Sequence, residues 1–187
     1  MRLLASNIKC GNASFPHYYL CYYLPLTAGK DKPSLSLLKF KQRIQPDLDT
    51  WITYAAELLG SVSLSPDTII LRALRHDEVC ARADFPSALD VLGHSLAERL
   101  HCRYLPTFVC KTRPTLPGKL LTRRQRQTQL ENVYKLSGIP LAEHPPFLLI
   151  DDILTTGSTM RALIGALREH YFASPITVFT LTRSVAH

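Results

Sequence analysis

The residues best suited to chemistry lie together in the stretch Phe147–Thr159. Four apolar residues, Phe147–Ile150, are followed by two adjacent carboxylates, Asp151 and Asp152, and then by the loop Thr155–Thr159, which reads Thr-Thr-Gly-Ser-Thr. An apolar run of this kind predicts a strand buried on both faces of a parallel sheet. The carboxylates would then lie at the carboxyl end of the strand, where open α/β sheets bind their ligands.

The loop that follows the carboxylates has the composition of an anion-binding cradle. Met160–His170 has a helical pattern, and the first N–H groups of a helix lack intrahelical partners and carry partial positive charge. Gly157 permits a positive φ or a close approach of the backbone, and the neighbouring hydroxyls add donors. These parts suit a phosphate monoester. Asp151 and Asp152 could accept hydrogen bonds from two vicinal sugar hydroxyls and help to hold a hydrated Mg²⁺.

An ordinary strand-to-helix turn with an aspartate cap is the alternative interpretation of this stretch. A cap needs one aspartate and not the whole arrangement, so a ligand site is the preferred reading.

The rest of the chain alternates between strand and helix patterns. The patterns predict helices over Pro33–Arg43, Asp47–Gly60, Pro86–Leu100, Gln125–Tyr134 and Ser158–His170, and strands over Thr68–Leu74, Tyr104–Cys110, Phe147–Asp151 and Ile176–Thr182. Lys111–Arg124 is expected to be a loop, and Met1–Lys32 is expected to be the least regular part. Strands that alternate with helices imply an α/β fold with a parallel sheet.

Composition indicates one compact domain. A length of 187 residues is enough for a proper core, and we expect residues 1–46 to form an N-terminal extension or hood and residues 47–187 to form the core. There is no apolar run of membrane-spanning length, and the apolar part of the N-terminus is too short for a secretory signal. The five cysteines include no Cys-x-x-Cys pair, which predicts a reduced, cytoplasmic chain. The net charge of +7 fits an anionic ligand, a nucleic acid or merely a basic surface.

Ile150–Thr159 resembles the phosphoribosyl-pyrophosphate (PRPP) loop of type I phosphoribosyltransferases: two acidic residues, two spacers, Thr-Thr-Gly, one spacer and Thr, after an apolar strand. The resemblance implies that fold, with a parallel sheet, helices on both faces and a small hood region. It also implies Mg²⁺ bound together with PRPP, with Asp151 and Asp152 as candidate metal ligands. The implied PRPP-binding residues are Asp151, Asp152, Thr155, Thr156, Gly157, Ser158 and Thr159.

Within that superfamily the chain is most similar to the ComF-like (competence protein F-like) branch. Arg113–Arg126 keeps the spacing of the branch's Arg-x-Thr-x-x-Gln-x-x-Leu-Ser-Arg-x-x-Arg segment, and Tyr134 stands where the branch has a Phe. Leu37–Phe40 resembles the branch's Leu-Lys-Phe/Tyr element.

Three features differ from that branch. Gly118 replaces the Gln of the basic segment, and Arg82–Pro86 keeps only the Arg of an Arg-Gly-Phe-Asn-Gln element. Where the branch often carries a zinc ribbon, this chain has only Cys10 and Cys21, so no structural zinc is predicted.

The basic segment Lys111–Arg126 contains no acidic residue. It could be a mobile loop that closes over a pyrophosphate, a solvated basic loop, or a nucleic-acid contact surface. Arg72 and Arg75 correspond by position to the family's pyrophosphate-binding loop, with a structural pair flanking the strand end as the alternative; His76 is expected to be structural. The provisional pyrophosphate contacts are Arg72, Arg75, Arg113, Lys119, Arg123 and Arg124.

The activity that the resemblance implies is transfer of ribose 5-phosphate from PRPP to an unidentified nitrogen nucleophile, with release of pyrophosphate, through an oxocarbenium-like state. No general base can be named. Thr155 stands where 6-oxopurine enzymes place an Asp, which argues against hypoxanthine or guanine as the acceptor.

The alternative is a non-catalytic PRPP or nucleotide sensor, or a nucleic-acid-associated protein of the DNA-uptake type. The expected partners are PRPP, pyrophosphate and a small-molecule acceptor. A homodimer is compatible with the resemblance, a nucleic acid is a less favoured partner, and no membrane is expected.

Overall fold

The computed structural model describes residues 2–24, 31–117, 121–138, 141 and 143–185. The strands are β1 (Leu4–Cys10), β2 (Ala13–Tyr23), β3 (Ile69–Arg72), β4 (Arg103–Tyr104), β5 (Val109–Lys111), β6 (Tyr134–Leu136), β7 (Phe147–Leu154) and β8 (Ile176–Ser184). The helices are α1 (Lys32–Lys41), α2 (Asp47–Leu59), α3 (Ala88–Leu100), α4 (Arg123–Leu130) and α5 (Ser158–His170).

A six-stranded sheet in the order β1-β2-β8-β7-β3-β4 organises the molecule. In this sheet β1 runs antiparallel to β2. The other strands, β2, β8, β7, β3 and β4, run parallel to one another. Ile150 of β7 lies between Arg72 of β3 and Phe179 of β8. The carboxyl ends of these three strands therefore lie side by side at one edge of the sheet, where a ligand site is expected.

Strand β7 shows why this sheet is buried on both faces. Phe147 and Leu149 pack into the apolar layer formed with α5 and the small β5–β6 sheet. Leu148 and Ile150 pack into the opposite layer, formed with α1, α2 and α3. All four side chains are essentially inaccessible to water, and burial of each contributes about 1.5–3 kcal/mol. The predicted α/β fold with helices on both faces is confirmed.

Four of the five predicted helices form within two residues of their expected bounds: α1, α2, α3 and α5. Helix α3 starts at a capping box in which Ser87 and Asp90 satisfy each other's backbone N–H groups. Helix α1 starts at Asp31, whose carboxylate accepts from the Ser34 N–H.

The prediction of an irregular N-terminal segment is wrong. Strands β1 and β2 form a hairpin, and β2 pairs with β8, so residues 4–23 belong to the central sheet. The sequence of β2 does not show a clear alternation of apolar and polar residues. The reason is that the polar His17 takes an inward position between Phe15 and Tyr19 and is fully buried. His17 is satisfied there by Ser6 and Thr180, which a single strand's sequence does not reveal.

Two further boundaries differ from the sequence prediction. The strand expected over Tyr104–Cys110 is two short strands, β4 and β5, separated by a turn that contains Pro106, which has no N–H to donate. The helix expected over Gln125–Tyr134 ends at Leu130, and Tyr134 opens strand β6 instead. Helix α4 starts earlier than expected because Thr122 and Gln125 form a capping box.

No helix in the described ranges combines the length and the hydropathy needed to cross a bilayer.

Candidate active site

The two carboxylates lie near the carboxyl end of β7 and, as neighbours in a strand, point to opposite faces of the sheet. Asp152 faces α1, where the Lys41 ammonium lies 2.9 Å from its Oδ2 atom. Asp151 accepts a hydrogen bond from the Asp152 N–H at 2.8 Å. Lys41 was not predicted as a site residue, because its sequence position indicates only a charged residue at the end of an amphipathic helix.

Burial raises the pKa of Asp151 to about 7, and the negative charge of Asp152 adds to the effect. The charges of Lys41 and Arg72 act in the opposite direction. Asp151 therefore holds a proton more readily near neutral pH than an exposed carboxyl group does. The ionised carboxylate accepts a hydrogen bond from a sugar hydroxyl, and the protonated form can donate one.

The loop after β7 forms an open helix N-terminus. Gly157 is the N-cap of α5 with φ of 73°, and among the residues that the structure describes no side chain caps the first N–H groups of the helix. The Thr156 and Ser158 hydroxyls lie 2.9 Å apart. Arg161 donates to the Thr156 carbonyl oxygen at 2.7 Å and so fixes the loop. Sequence analysis did not identify Arg161 as a residue of the site. Its position in the first turn of α5 was the feature that could have indicated this contact.

A cavity of about 500 Å³ opens above these residues. All seven predicted PRPP-binding residues line it: Asp151, Asp152, Thr155, Thr156, Gly157, Ser158 and Thr159. Another part of its lining comes from the loop after β3, through Arg75 and His76, and from Lys111 at the end of β5.

Arg72 does not face this cavity, and its provisional assignment as a pyrophosphate contact is corrected. Its side chain is buried, only 2% of the residue is exposed, and its Nε atom donates to Asp90 at 2.6 Å. Its two Nη atoms donate to Glu78 at 2.8 and 3.0 Å. The guanidinium is committed to two internal carboxylates, which agrees with the structural alternative weighed for this residue.

Arg75 does lie at the cavity. Its side chain is exposed and pairs with Asp77 at 2.9 Å. Because an exposed pair of this kind contributes at most about 1 kcal/mol, Asp77 could be exchanged for an anionic ligand at small cost. His76 also lines the cavity and is exposed, so it is not held as a core residue.

The backbone of the loop that carries Arg75 is clamped from both sides. Glu78 accepts from the Arg75 N–H at 2.6 Å, and the Lys111 ammonium donates to the Arg75 carbonyl oxygen at 2.6 Å. The Thr115 N–H donates to the His76 carbonyl oxygen at 2.8 Å. The start of the basic segment and the loop after β3 therefore hold each other in place.

The described part of the basic segment contributes fewer positively charged side chains to the cavity lining than the sequence predicted. In its described part, Thr115, Leu116 and Leu121 line the cavity in addition to Lys111. Arg113 is exposed and reaches the Gln129 carbonyl oxygen, and Arg124 is exposed on α4 outside the cavity lining. Lys119 and the side chain of Arg123 lie outside the described residues, so their predicted contacts with pyrophosphate stay predictions.

Cys80 and Cys110 form a disulfide between the loop after β3 and strand β5. The expectation that all the cysteines are reduced is therefore wrong for this pair. Thirty positions separate the two residues, and next to the disulfide the Lys111 N–H donates to the Val79 carbonyl oxygen, which brings the two segments together. Cys10, Cys21 and Cys102 are free.

A second cavity, of about 380 Å³, adjoins the first on the α1 side of the sheet. It shares Lys41, Arg75 and Asp152 with the first cavity and adds Arg43 and the exposed Phe85. A molecule in this second cavity would lie directly beside the Asp152 carboxylate.

No family model matches the chain. Among curated proteins, it is 33% identical over 96 residues to the DNA utilization protein YhgH of Escherichia coli strain CFT073 and 32% identical over the same length to that of strain K12. These matches cover 51% of this chain and 41% of each relative, so less than half of either relative's length is represented.

Among solved structures, the chain is similar to adenine phosphoribosyltransferase from Trypanosoma brucei, solved in complex with AMP, pyrophosphate and ribose-5-phosphate. The TM-score is 0.50 at 10% identity, over 98% of this chain and 87% of that one. A match to the Leishmania tarentolae adenine phosphoribosyltransferase has a TM-score of 0.43 at 13% identity, over 95% and 94% of the two chains. The protein has the type I phosphoribosyltransferase fold, as the sequence predicted.

Proposed function

We propose that this protein binds PRPP with Mg²⁺ and transfers ribose 5-phosphate to a nitrogen nucleophile, with release of pyrophosphate. One observation carries the proposal: the uncapped N-terminus of α5, the carboxylates Asp151 and Asp152, and the loop with Arg75 all border one cavity. These features supply, in one place, groups for a phosphate, for vicinal hydroxyls and for a second anion.

Each group has a physical role in that reaction. The free N–H groups of α5 and the hydroxyls of Thr155–Thr159 would hold the 5-phosphate. Asp151 and Asp152 would accept the ribose hydroxyls, which fixes the sugar ring. Arg75 and Lys111 would stabilise the charge on the leaving pyrophosphate as the anomeric C–O bond breaks and the acceptor nitrogen forms its bond to the same carbon.

The site also suits Mg²⁺. Within the described ranges no cluster of three or more His, Cys, Asp or Glu side chains could hold a metal by itself. The oxygen donors of Asp151 and Asp152 fit a Mg²⁺ that keeps several waters and takes its other ligands from the bound phosphates. Such an ion would neutralise charge on the pyrophosphate group.

We further assign the chain to the ComF-like branch. The spacing of Arg113–Arg126 supports the assignment, as does the similarity to YhgH over half of this chain. We place the acceptor in the second cavity, because it borders Asp152 and is lined by Phe85, whose ring could stack on a planar base. The Thr at position 155 argues against a 6-oxopurine there.

The test has a binding arm and a turnover arm. Calorimetry with PRPP and Mg²⁺ should show binding that Asp151→Asn and Asp152→Asn weaken without unfolding the protein. Pyrophosphate release should then be followed with PRPP across a panel of nucleobases and amines. Unchanged PRPP affinity in both variants would refute the site, whereas tight PRPP binding with no turnover on any acceptor would favour a PRPP sensor over a transferase.

A nucleic-acid-associated role is the second candidate, and two observations favour it. The curated relatives are called DNA utilization proteins, and the chain carries a net charge of +7. Binding to DNA that weakens steeply with salt and is lost in an Arg123→Ala, Arg124→Ala double variant would support this role. Salt-insensitive or absent DNA binding would exclude it.

A further inference from the structure

Tyr134 brings a buried hydroxyl group to the wall of the main cavity. It opens strand β6 and pairs with Lys111 of β5 in the antiparallel register. Only 7% of the residue is exposed, and it lines the main cavity. Within the described part of the chain, no group forms a hydrogen bond with its Oη atom.

A buried hydroxyl without a partner is costly, by about 1–3 kcal/mol. Such groups are uncommon in native proteins and call for an explanation. The Tyr134 hydroxyl feels the negative charge of Asp151 and contacts the backbone of Leu74, but this contact does not have the geometry of a hydrogen bond. Burial is the main reason why the pKa of Tyr134 lies above its usual range, so the hydroxyl keeps its proton and can act as a donor.

Lys111 places a cation over the Tyr134 ring. Its ammonium lies 5.8 Å from the centre of the Tyr134 ring, and only 2% of the residue is exposed. The ammonium donates to the Arg75 carbonyl oxygen and, at 3.4 Å, to the Thr115 hydroxyl. An ammonium has three donors, so one is left for a ligand.

The two groups together have the chemistry of an anion contact. A neutral O–H donor and a partly desolvated ammonium face a cavity whose other walls carry an uncapped helix N-terminus and Arg75. Phosphate oxygens accept charge-assisted hydrogen bonds from both kinds of donor.

We propose that the Tyr134 hydroxyl and the Lys111 ammonium bind a phosphate oxygen of the substrate in the main cavity. The inference rests on the proposed function, because it adds Tyr134 to the same site and pairs it with Lys111 as one phosphate contact. It is also particular to this chain, since Tyr134 stands where the ComF-like branch has a Phe and therefore no hydroxyl. The phosphate oxygen belongs either to the 5-phosphate or to the pyrophosphate group, and separate probes distinguish the two.

Tyr134→Phe is the decisive variant, because it removes one oxygen and keeps the ring that Lys111 covers. Calorimetry should be run separately with ribose 5-phosphate and with inorganic pyrophosphate, each with Mg²⁺. We expect a roughly tenfold loss of affinity for one of the two, which identifies the phosphate that Tyr134 contacts. Tyr54→Phe on α2, where the tyrosine is exposed, is the matched control and should bind both probes normally.

Thermal unfolding separates a binding role from a structural one. Because Tyr134→Phe removes an unpaired buried hydroxyl, the ligand-free variant should melt at the wild-type temperature or above it. The rise in Tm caused by the affected ligand should be smaller in the variant than in the wild type. Lys111→Met should weaken the same ligand, although its buried position makes Tyr134→Phe the safer variant for folding.

The outcomes separate this inference from the proposed function. Wild-type affinity of Tyr134→Phe for both probes would overturn the inference while PRPP binding stands. A lower Tm of the ligand-free variant with unchanged affinities would also overturn it, since the hydroxyl would then be structural. If wild-type protein binds neither probe nor PRPP, the proposed function fails, and this inference fails with it.

Discussion

The ammonium group of Lys41, in the last turn of α1, lies 2.9 Å from the carboxylate of Asp152 at the end of β7. The Lys41 side chain is 37% exposed and that of Asp152 is 23% exposed, so water screens the pair only in part. Through this contact an N-terminal helix supplies a charge to the candidate ribose site. The positive charge of Lys41 also opposes the rise in the pKa of Asp151 that burial and the charge of Asp152 cause.

Replacing Lys41 with methionine should therefore raise the pKa of Asp151 above about 7, because the opposing positive charge is removed. Carbon-detected NMR titration of the Asp151 carboxyl group would measure the change. Lys39→Met is the matched control, since Lys39 lies on the same helix and pairs instead with Asp47 at 3.6 Å. An Asp151 titration that is the same in both variants would show that Lys41 does not influence the site.

Arg72 and Arg75 should respond to the same substitution in different ways. Arg72→Met leaves Asp90 and Glu78 without their shared cation inside the protein, and we expect a loss of about 3–5 kcal/mol in the free energy of unfolding. Arg75→Met removes an exposed pair and should cost less than about 1 kcal/mol, while it weakens pyrophosphate binding.

Urea unfolding and pyrophosphate calorimetry on the two variants would test this pair of expectations. The contrary result would be a well-folded Arg72→Met protein with poor pyrophosphate binding. It would mean that the buried guanidinium turns outward to the ligand.

Sequence position alone predicts the arrangement of those candidate residues that lie in one continuous stretch. Asp151, Asp152 and Thr155–Thr159 are contiguous, and a strand followed by a helix necessarily places them at one edge of the sheet. The apolar run before them predicted a buried strand, and so placed these residues at the carboxyl end of that strand. For the same reason the fold class and the bounds of α5 were predicted correctly.

The other residues that line the cavity come from distant segments of the chain, and the sequence alone does not show that they lie together. Lys41, Lys111 and Tyr134 reach the cavity from α1, β5 and β6, through packing that no local pattern encodes. Arg72 was misassigned because its spacing from Arg75 does not reveal which of the two turns inward. That choice is made by Asp90, which is 18 residues further along the chain.

Gly157 and Gly165, both associated with α5, should give opposite results when replaced by alanine. At Gly157 the φ of 73° disfavours any side chain, and a Cβ atom would lie 3.2 Å from Nη1 of Arg161, which holds the loop. Gly157→Ala should cost about 1–2 kcal/mol and weaken PRPP binding roughly tenfold.

At Gly165 a Cβ atom would meet nothing within 4 Å, and the residue lies inside the helix. Gly165→Ala should therefore stabilise the protein by about 0.5–1 kcal/mol and leave binding unchanged. Urea unfolding and PRPP calorimetry on both variants would measure these effects. Equal effects of the two substitutions would argue against a special backbone conformation at Gly157.

Asp151 should make the stability of the ligand-free protein depend on pH. Its pKa is raised to about 7 from the ordinary value of 3.8, so the folded protein keeps a proton that the unfolded chain releases between about pH 4 and pH 7. The contribution of Asp151 to stability is therefore present below pH 4 and is lost as the pH rises through 7. Buried His17 acts in the opposite direction, because its pKa is lowered to about 4 and its contribution is lost as the pH falls from about 6.5 to 4.

The contributions of Asp151 and His17 to stability change over the same pH range. The pH dependence of wild-type stability therefore does not isolate Asp151, and a comparison with Asp151→Asn is needed. The asparagine does not titrate, so the variant should gain stability relative to wild type as the pH rises from 4 to 7.5, by about 2 kcal/mol for a partly screened carboxyl group. Urea unfolding at intervals of pH measures the difference, and Asp67→Asn, in the exposed turn before β3, is the control. A difference between Asp151→Asn and wild type that stays constant over this range would mean that Asp151 is ionised throughout, and the site would then bind its ligand as a pair of full negative charges.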